Sequence, residues 1–131
     1  MSVLQTVVVA SLLGIALSAC APVRHDDAVE VVSLARQIDP SRPDHDMCSS
    51  LILTRADVAT YFRLADEVDG ETFHDEAMIL PCSYSGSIKM SGQLRQWQIF
   101  AGGAAYLSDS HGLNKRYLCR QRCLDALPGL Q

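Results

Sequence analysis

From Leu80 to Met90 the residues Leu80, Cys82, Tyr84, Gly86, Ile88 and Met90 are apolar or small, and Ser83, Ser85, Ser87 and Lys89 alternate with them. A period of two is the mark of a strand with one face buried. Ser91-Gly92 then offers a two-residue hairpin loop. Placing Met90 and Gln93 on either side of it pairs Ile88 with Arg95, Gly86 with Trp97, Tyr84 with Ile99 and Cys82 with Ala101. Both apolar sets then share one face, as a correct register requires. Trp97 would lie across from Gly86 and cover backbone that has no side chain of its own. Gly102-Gly103 reads as a second two-residue turn, aligning Ala101 with Ala104 and Ile99 with Tyr106. A looser loop at 109–114 leads to a short strand at 115–119, so residues 79–123 form a four-stranded antiparallel meander with a cysteine near each end.

A helix precedes the meander. Thr54 stands before Arg55-Ala56-Asp57, where its hydroxyl can accept from the third helical amide while Asp57 reaches back. Leu53 and Val58 are spaced as a hydrophobic staple around this start. Val58, Phe62, Ala65 and Val68 recur on one face, and Gly70 is placed to end the run. That face needs an apolar partner, and the meander supplies one. The expected fold is therefore α+β: one main amphipathic helix packed on a four-stranded antiparallel sheet. Glu71, His74, Asp75 and Glu76 read as a charged solvated loop, because adjacent residues on an extended chain point to different sides and do not converge on a metal. Pro81 marks a strand end or an edge.

The N-terminus sets the expected location. Residues 7–17 carry no charge, are too few to span a bilayer comfortably, and end in small residues, which reads as a secretory signal over 1–19. Leu17-Ser18-Ala19-Cys20 resembles the lipobox of bacterial lipoproteins, in which small residues admit the signal peptidase before a Cys that is then lipidated. The resemblance implies acylation, palmitate included, at Cys20; two or more chains would hold the protein stably on a membrane. Ala21, rather than Asp, after the Cys implies the outer membrane, with the domain facing the periplasm. The 20–47 segment, polar and acidic with Pro22, Pro40 and Pro43, reads as an acylated tether with one short helix between Asp26 and Ile38, or as a helical tether docked on the sheet. The folded domain is then 48–131.

With Cys20 used by lipid, Cys48, Cys82, Cys119 and Cys123 remain, and an even number in an oxidising compartment reads as two disulfides. Three pairings exist. In an up-down-up-down meander the first strand starts and the fourth ends on the same side, which favours Cys82 with Cys119 and, by elimination, Cys48 with Cys123. Each would stabilise so small a domain by about 2–4 kcal/mol. Zinc at Cys119, Cys123 and His111 lacks the usual paired C-x-x-C hooks, so neither a metal nor any other cofactor is expected.

Charge is unevenly spread over a chain whose net charge is −4. From Cys20 to Glu76 thirteen acids face five basic residues; beyond Glu76 two acids face six, including Lys115, Arg116, Arg120 and Arg122. The two halves can satisfy each other within the fold, or the basic tail can meet an anionic partner. No nucleic-acid recognition motif is present.

Pro81-Cys82-x-x-x-Gly86, Trp97-x-Ile99-x-x-Gly102-Gly103 and Tyr117-Leu118-Cys119 together resemble a family of short bacterial envelope lipoproteins with no assigned activity. The likeness covers about 51–123; it implies a helix-plus-meander fold and a structural disulfide, and carries no catalytic residues. A weaker similarity is to small lipoprotein inhibitors of lysozyme, whose Ser-Gly-x-x-Tyr loop is missing: Ser85-Gly86-Ser87-Ile88-Lys89 and Ser91-Gly92-Gln93-Leu94-Arg95 lack the Tyr.

Two functional classes follow. The first is a non-catalytic protein-binding module of inhibitor, immunity or assembly type, whose binding face would be Phe100, Ala105 and Leu107 if these point away from the helix. The second is a small hydrolase using Asp109, Ser110 and His111, although neighbours in a turn seldom make a triad and no G-x-S-x-G elbow or cleft of paired carboxylates accompanies them.

Overall fold

The computed structural model describes residues 28–131; the signal segment, the lipobox and Cys20 lie outside the described residues. The architecture is α+β, built on an antiparallel sheet. The first hairpin joins β4 (Cys82–Met90) to β5 (Gln93–Phe100). Its register pairs Ile88 with Arg95, Gly86 with Trp97 and Tyr84 with Ile99, as the alternation requires. Positive φ at Ser91 (52°) and Gly92 (74°) closes the two-residue turn.

The second hairpin departs from expectation by one residue. In β6 (Ala104–Ser108) Ala105, rather than Tyr106, faces Ile99. Ala101 joins the two glycines in a three-residue loop, closed by Gly103 N–H donating to the Phe100 carbonyl at 3.0 Å. The Ala101 amide is drawn to the Cys82 carbonyl and the Gly102 amide to the Leu130 carbonyl, which favours the longer loop. A slip of one exchanges the two faces of a strand. Ala105 and Leu107 therefore point toward the helix and are fully buried, at 0 % exposure each.

Among the described residues the sheet has seven strands, not four. Beyond β7 (Asn114–Leu118) it gains β3 (Asp66–Val68), and on the other edge β1 (Val29–Val31) and β2 (Ala35–Ile38) both pair with β4. The 29–38 segment is thus two short strands instead of a tether with a helix. Three apolar residues in this segment, Val29, Val31 and Leu34, add to the main core, and β4 supplies free backbone groups to pair with. Between β1 and β2 the chain bulges at Ser33, which donates its amide to the Ser87 carbonyl and accepts from the Ser87 amide through its hydroxyl. The bulge sits over Gly86: a Cβ there would lie 2.0 Å from the Ser33 carbonyl oxygen. The backbone of Ser33 fills the space that Gly86 leaves.

Helix α1 (Arg55–Leu64) begins with the capping box read from the sequence, Thr54 Oγ1 accepting from the Asp57 amide and Asp57 accepting from the Thr54 amide. It ends at Leu64, earlier than the apolar spacing indicates, because Asp66-Glu67-Val68 is captured as β3 by β7. Gly70 consequently opens a second helix, α2 (Gly70–Glu76), where a charged loop was expected. Asp69 caps it by accepting from the Thr72 amide at 2.7 Å.

One face of the sheet packs against α1 and the C-terminal segment. Val58, Tyr61 and Phe62 meet Tyr84, Ile88, Trp97, Ile99, Leu107 and Tyr117, and α3 (Gln121–Ala126) brings in Cys123, with Leu127 and Leu130 after it. The Tyr61 hydroxyl donates to the Gly103 carbonyl at 2.7 Å, and burial pushes its ionisation well above the usual range. On the opposite face the cover supplied by the described residues is α2, at one side: Phe73 packs on Ala104 and Leu118, with Val68, Ala77 and Tyr106 around them.

The disulfides join Cys48 to Cys82 and Cys119 to Cys123. All four cysteines are bridged, but the expected pairing of Cys82 with Cys119 and of Cys48 with Cys123 is not the one formed. Cys48 lies in a 3-10 helix, His45–Ser50, which packs on β4 and is held by the Arg36 guanidinium donating to the Cys48 carbonyl. Cys119 stands just before the Arg120 cap of α3 and Cys123 lies in its first turn, which brings their Cα atoms to 5.1 Å, within bridging distance.

Candidate functional site

Among the described residues α2 protects only the β6–β7–β3 side, and they leave the second face of the sheet open over β2, β4 and β5. Period-two alternation decides what it presents. Trp97 and Ile99 turn to the core, so Gln96, Gln98 and Phe100 turn outward, and the same holds for Ser83, Ser85 and Ser87 across from them. Gln98 Nε2 donates to Ser83 Oγ at 3.1 Å and Ser87 Oγ donates to Gln96 Oε1 at 3.3 Å. These cross-strand bonds hold the amides in place. Beside them run three rings in contact: Phe100 meets Tyr106 edge-on at 5.9 Å, and Tyr106 lies tilted against Phe73 at 5.1 Å between centroids.

Of the candidate binding face, Phe100 alone lies here. Ala105 and Leu107 belong to the core, and Tyr106 takes the outward position next to Phe100. At the end of the open face a depression of about 300 Å³ is lined by Ile38, Ile79, Leu80 and Phe100 together with Arg42. Ile38 and Ile79 are exposed at 42 % and 40 %. Arg42 fixes the rim, donating to the Ile79 carbonyl at 2.8 Å and pairing with Asp44 at 2.8 Å. Sequence reading missed Ile79, Tyr106, Gln96 and Gln98. The Gln pair was visible as the partner set of the Trp97-Ile99 alternation; Ile79 was not, since it lies outside any strand.

Asp109, Ser110 and His111 lie together at the mouth of a groove of about 660 Å³ near Leu94. Ser110 Oγ is 3.4 Å from His111 Nδ1, yet Asp109 Oδ1 accepts from the His111 and Leu113 backbone amides, at 2.8 and 2.9 Å. The carboxylate thus shapes the turn rather than orienting the imidazole, which is the bond a triad needs. Those amides, that of Leu113 foremost, hold the Asp109 carboxyl below its ordinary value of 3.8. A carboxyl lowered in the folded state stabilises above its unfolded value and loses that contribution as pH falls through the folded one. Acidifying from pH 5 to pH 2 is therefore expected to lower the protection of the His111 and Leu113 amides, measured against their intrinsic exchange rates at each pH, before the core opens. Equal protection at both pH values would show that the carboxylate does not hold the turn.

The basic tail is largely answered within the fold. Lys115 meets Glu67 at 3.2 Å, and Arg120 meets Glu76 at 2.9 Å and Asp66 at 3.6 Å, with Arg116 over the Phe73 ring. The Glu76 hydrogen bond raises the Arg120 ionisation further. His74 and Asp75 lie in α2, and Cys119 and Cys123 are bonded to each other, which removes the zinc arrangement with His111. Among the described residues no group of three or more His, Cys, Asp or Glu side chains is placed to hold a metal ion. No described helix is long and apolar enough to cross a membrane. No protein-family model, curated protein or solved structure matches the chain.

Proposed function

We propose that the protein is a lipid-anchored envelope lipoprotein, held on the outer membrane through acylated Cys20, which works in the periplasm by binding another protein rather than by catalysis. The order of uncharged run, small residues and Cys20, and the likeness of the 81–119 motifs to short envelope lipoproteins, support the address. One observation carries the binding role. Ile79, Leu80 and Phe100, from a linker and a central strand, line one depression at the end of a sheet face that no described element covers there, with Ile38 of the edge strand on its border. Apolar side chains gathered with a cation at a rim are the composition of a protein contact, where a partner removes them from water. An inhibitor, an immunity protein and an assembly factor all act in this way.

The test is cross-linking in intact envelopes with three forms of the full chain. The natural chain should be found in the membrane fraction, cross-linked to a discrete partner. Cys20→Ala should stop palmitate incorporation and release the protein from membranes; label entering this variant would overturn the anchor. Phe100→Ser with Ile79→Ser should keep the anchor and lose the partner, and unchanged capture would overturn the contact.

A further inference from the structure

The floor beside the apolar corner has a different chemistry. Gln37 on the edge strand, Gln96 and Gln98 on β5, Ser85 on β4 and Ser108 on β6 line a second depression of about 310 Å³, with Tyr106 as one wall. All six are uncharged. Charged side chains stay on the rim: Arg42 is engaged by Asp44, and Asp39 accepts from Ser41, whose hydroxyl bond holds the Asp39 carboxyl below its ordinary value. A charged ligand finds no counter-ion on this floor, and an apolar one would strip water from three amides without replacing its hydrogen bonds.

Amides and hydroxyls instead match a ligand that both donates and accepts along its whole length. The bonds from Gln98 to Ser83 and from Ser87 to Gln96 commit one end of each amide, leaving the Gln98 carbonyl and the Gln96 NH2 for that ligand. Tyr106, steadied between Phe73 and Phe100, offers a ring on which the C–H face of a sugar can pack. The second depression adjoins the first, of about 300 Å³, with Gln37 and Gln98 common to both. A ligand longer than one unit can therefore run from the second depression across these shared amides.

We infer that this floor is a binding site for a neutral saccharide chain, engaged through Gln37, Gln96, Gln98 and the Tyr106 ring. The inference goes beyond the protein-binding reading: it gives the module a second ligand, adjacent to the first. The site is non-catalytic and makes no covalent change to the sugar.

The experiment titrates the full chain, in detergent micelles, with neutral N-acetylglucosamine oligomers of two to six units, read by calorimetry and by amide shifts. Affinity should rise with oligomer length, and shifts should centre on Ser85, Gln96 and Gln98. Gln96→Ala with Gln98→Ala should weaken binding at least tenfold, Tyr106→Ala likewise. Gln37→Ala, on the exposed edge strand, serves if the central variants unfold. Ile79→Ser with Phe100→Ser tests the protein contact, while Gln96→Ala, at a residue that lines the second depression and not the apolar corner, spares that corner, so loss of one ligand is separable from loss of the other. No oligomer binding by the natural chain, binding only of polyanionic polysaccharides, or binding unaffected by the Gln variants would each overturn the site. Shifts on this floor produced by a protein partner but by no sugar would do the same.

Discussion

Gly86→Ala is expected to destabilise the protein by about 3 kcal/mol, at the upper end of what overpacking costs, and to lift β1 and β2 from the sheet. The added Cβ would lie 2.0 Å from the Ser33 carbonyl oxygen and 2.6 Å from its carbon. Backbone, unlike the end of a flexible side chain, has no rotamer into which to retreat. Ser33 is held there by its hydroxyl and amide bonds to Ser87, and Val32 donates to the same Ser87 carbonyl at 2.9 Å. Relieving the overlap therefore breaks the bulge, and β1 and β2, joined by it, lose their register on β4. Hydrogen exchange should show early loss of protection at 29–38 while the β5–β6–β7 ladder stays closed. A variant with natural melting and natural protection over 29–38 would mean that the N-terminal strands do not sit over Gly86.

Removing the disulfide between Cys48 and Cys82, with serine at both positions, is expected to cost about 3–4 kcal/mol in urea unfolding. The bridge closes a loop of sequence separation 34, while the one between Cys119 and Cys123 has a separation of only 4. In the chain-entropy account the shorter loop restrains the unfolded chain far less, so its removal should cost about 2 kcal/mol. Non-reducing digestion supplies the check on connectivity. It should yield a peptide pair joining Cys48 to Cys82; a pair joining Cys82 to Cys119 would overturn both the connectivity and this ranking. The loss of stability should be felt first at Leu51 and Leu53, which the bridge and the staple together hold in the core.

These two tests fall on features of unequal legibility. The first hairpin and the start of α1 were readable because each is specified by residues within a few positions of one another: Ser91-Gly92 with two alternating flanks, and Thr54 with Asp57. The same locality misled at Gly102-Gly103. Two consecutive glycines allow a two-residue or a three-residue loop equally well, and bonds that the Ala101 and Gly102 amides donate to the distant carbonyls of Cys82 and Leu130 favour the longer one. That single residue moved Ala105 and Leu107 from a proposed surface into the core and brought Tyr106 out beside Phe100. Val68 shows the same effect in a helix. Its spacing continues the apolar face of α1, yet pairing with Arg116 places it in a strand.

What the sequence by itself determined is local and periodic. Alternation assigns Tyr84, Ile88, Trp97 and Ile99 to one buried face, and the Thr54 cap starts the helix that covers it, since both depend on backbone geometry repeated over short distances. Tertiary structure alone decided the pairing of the four cysteines, the capture of 29–38 and 66–68 as edge strands, and the open face where Gln37, Gln96, Gln98 and Phe100 meet. Apart from the bridge between Cys119 and Cys123, each of these joins residues far apart in the chain. Which partner a strand edge or a thiol finds depends on competing long-range contacts that no short stretch of sequence encodes.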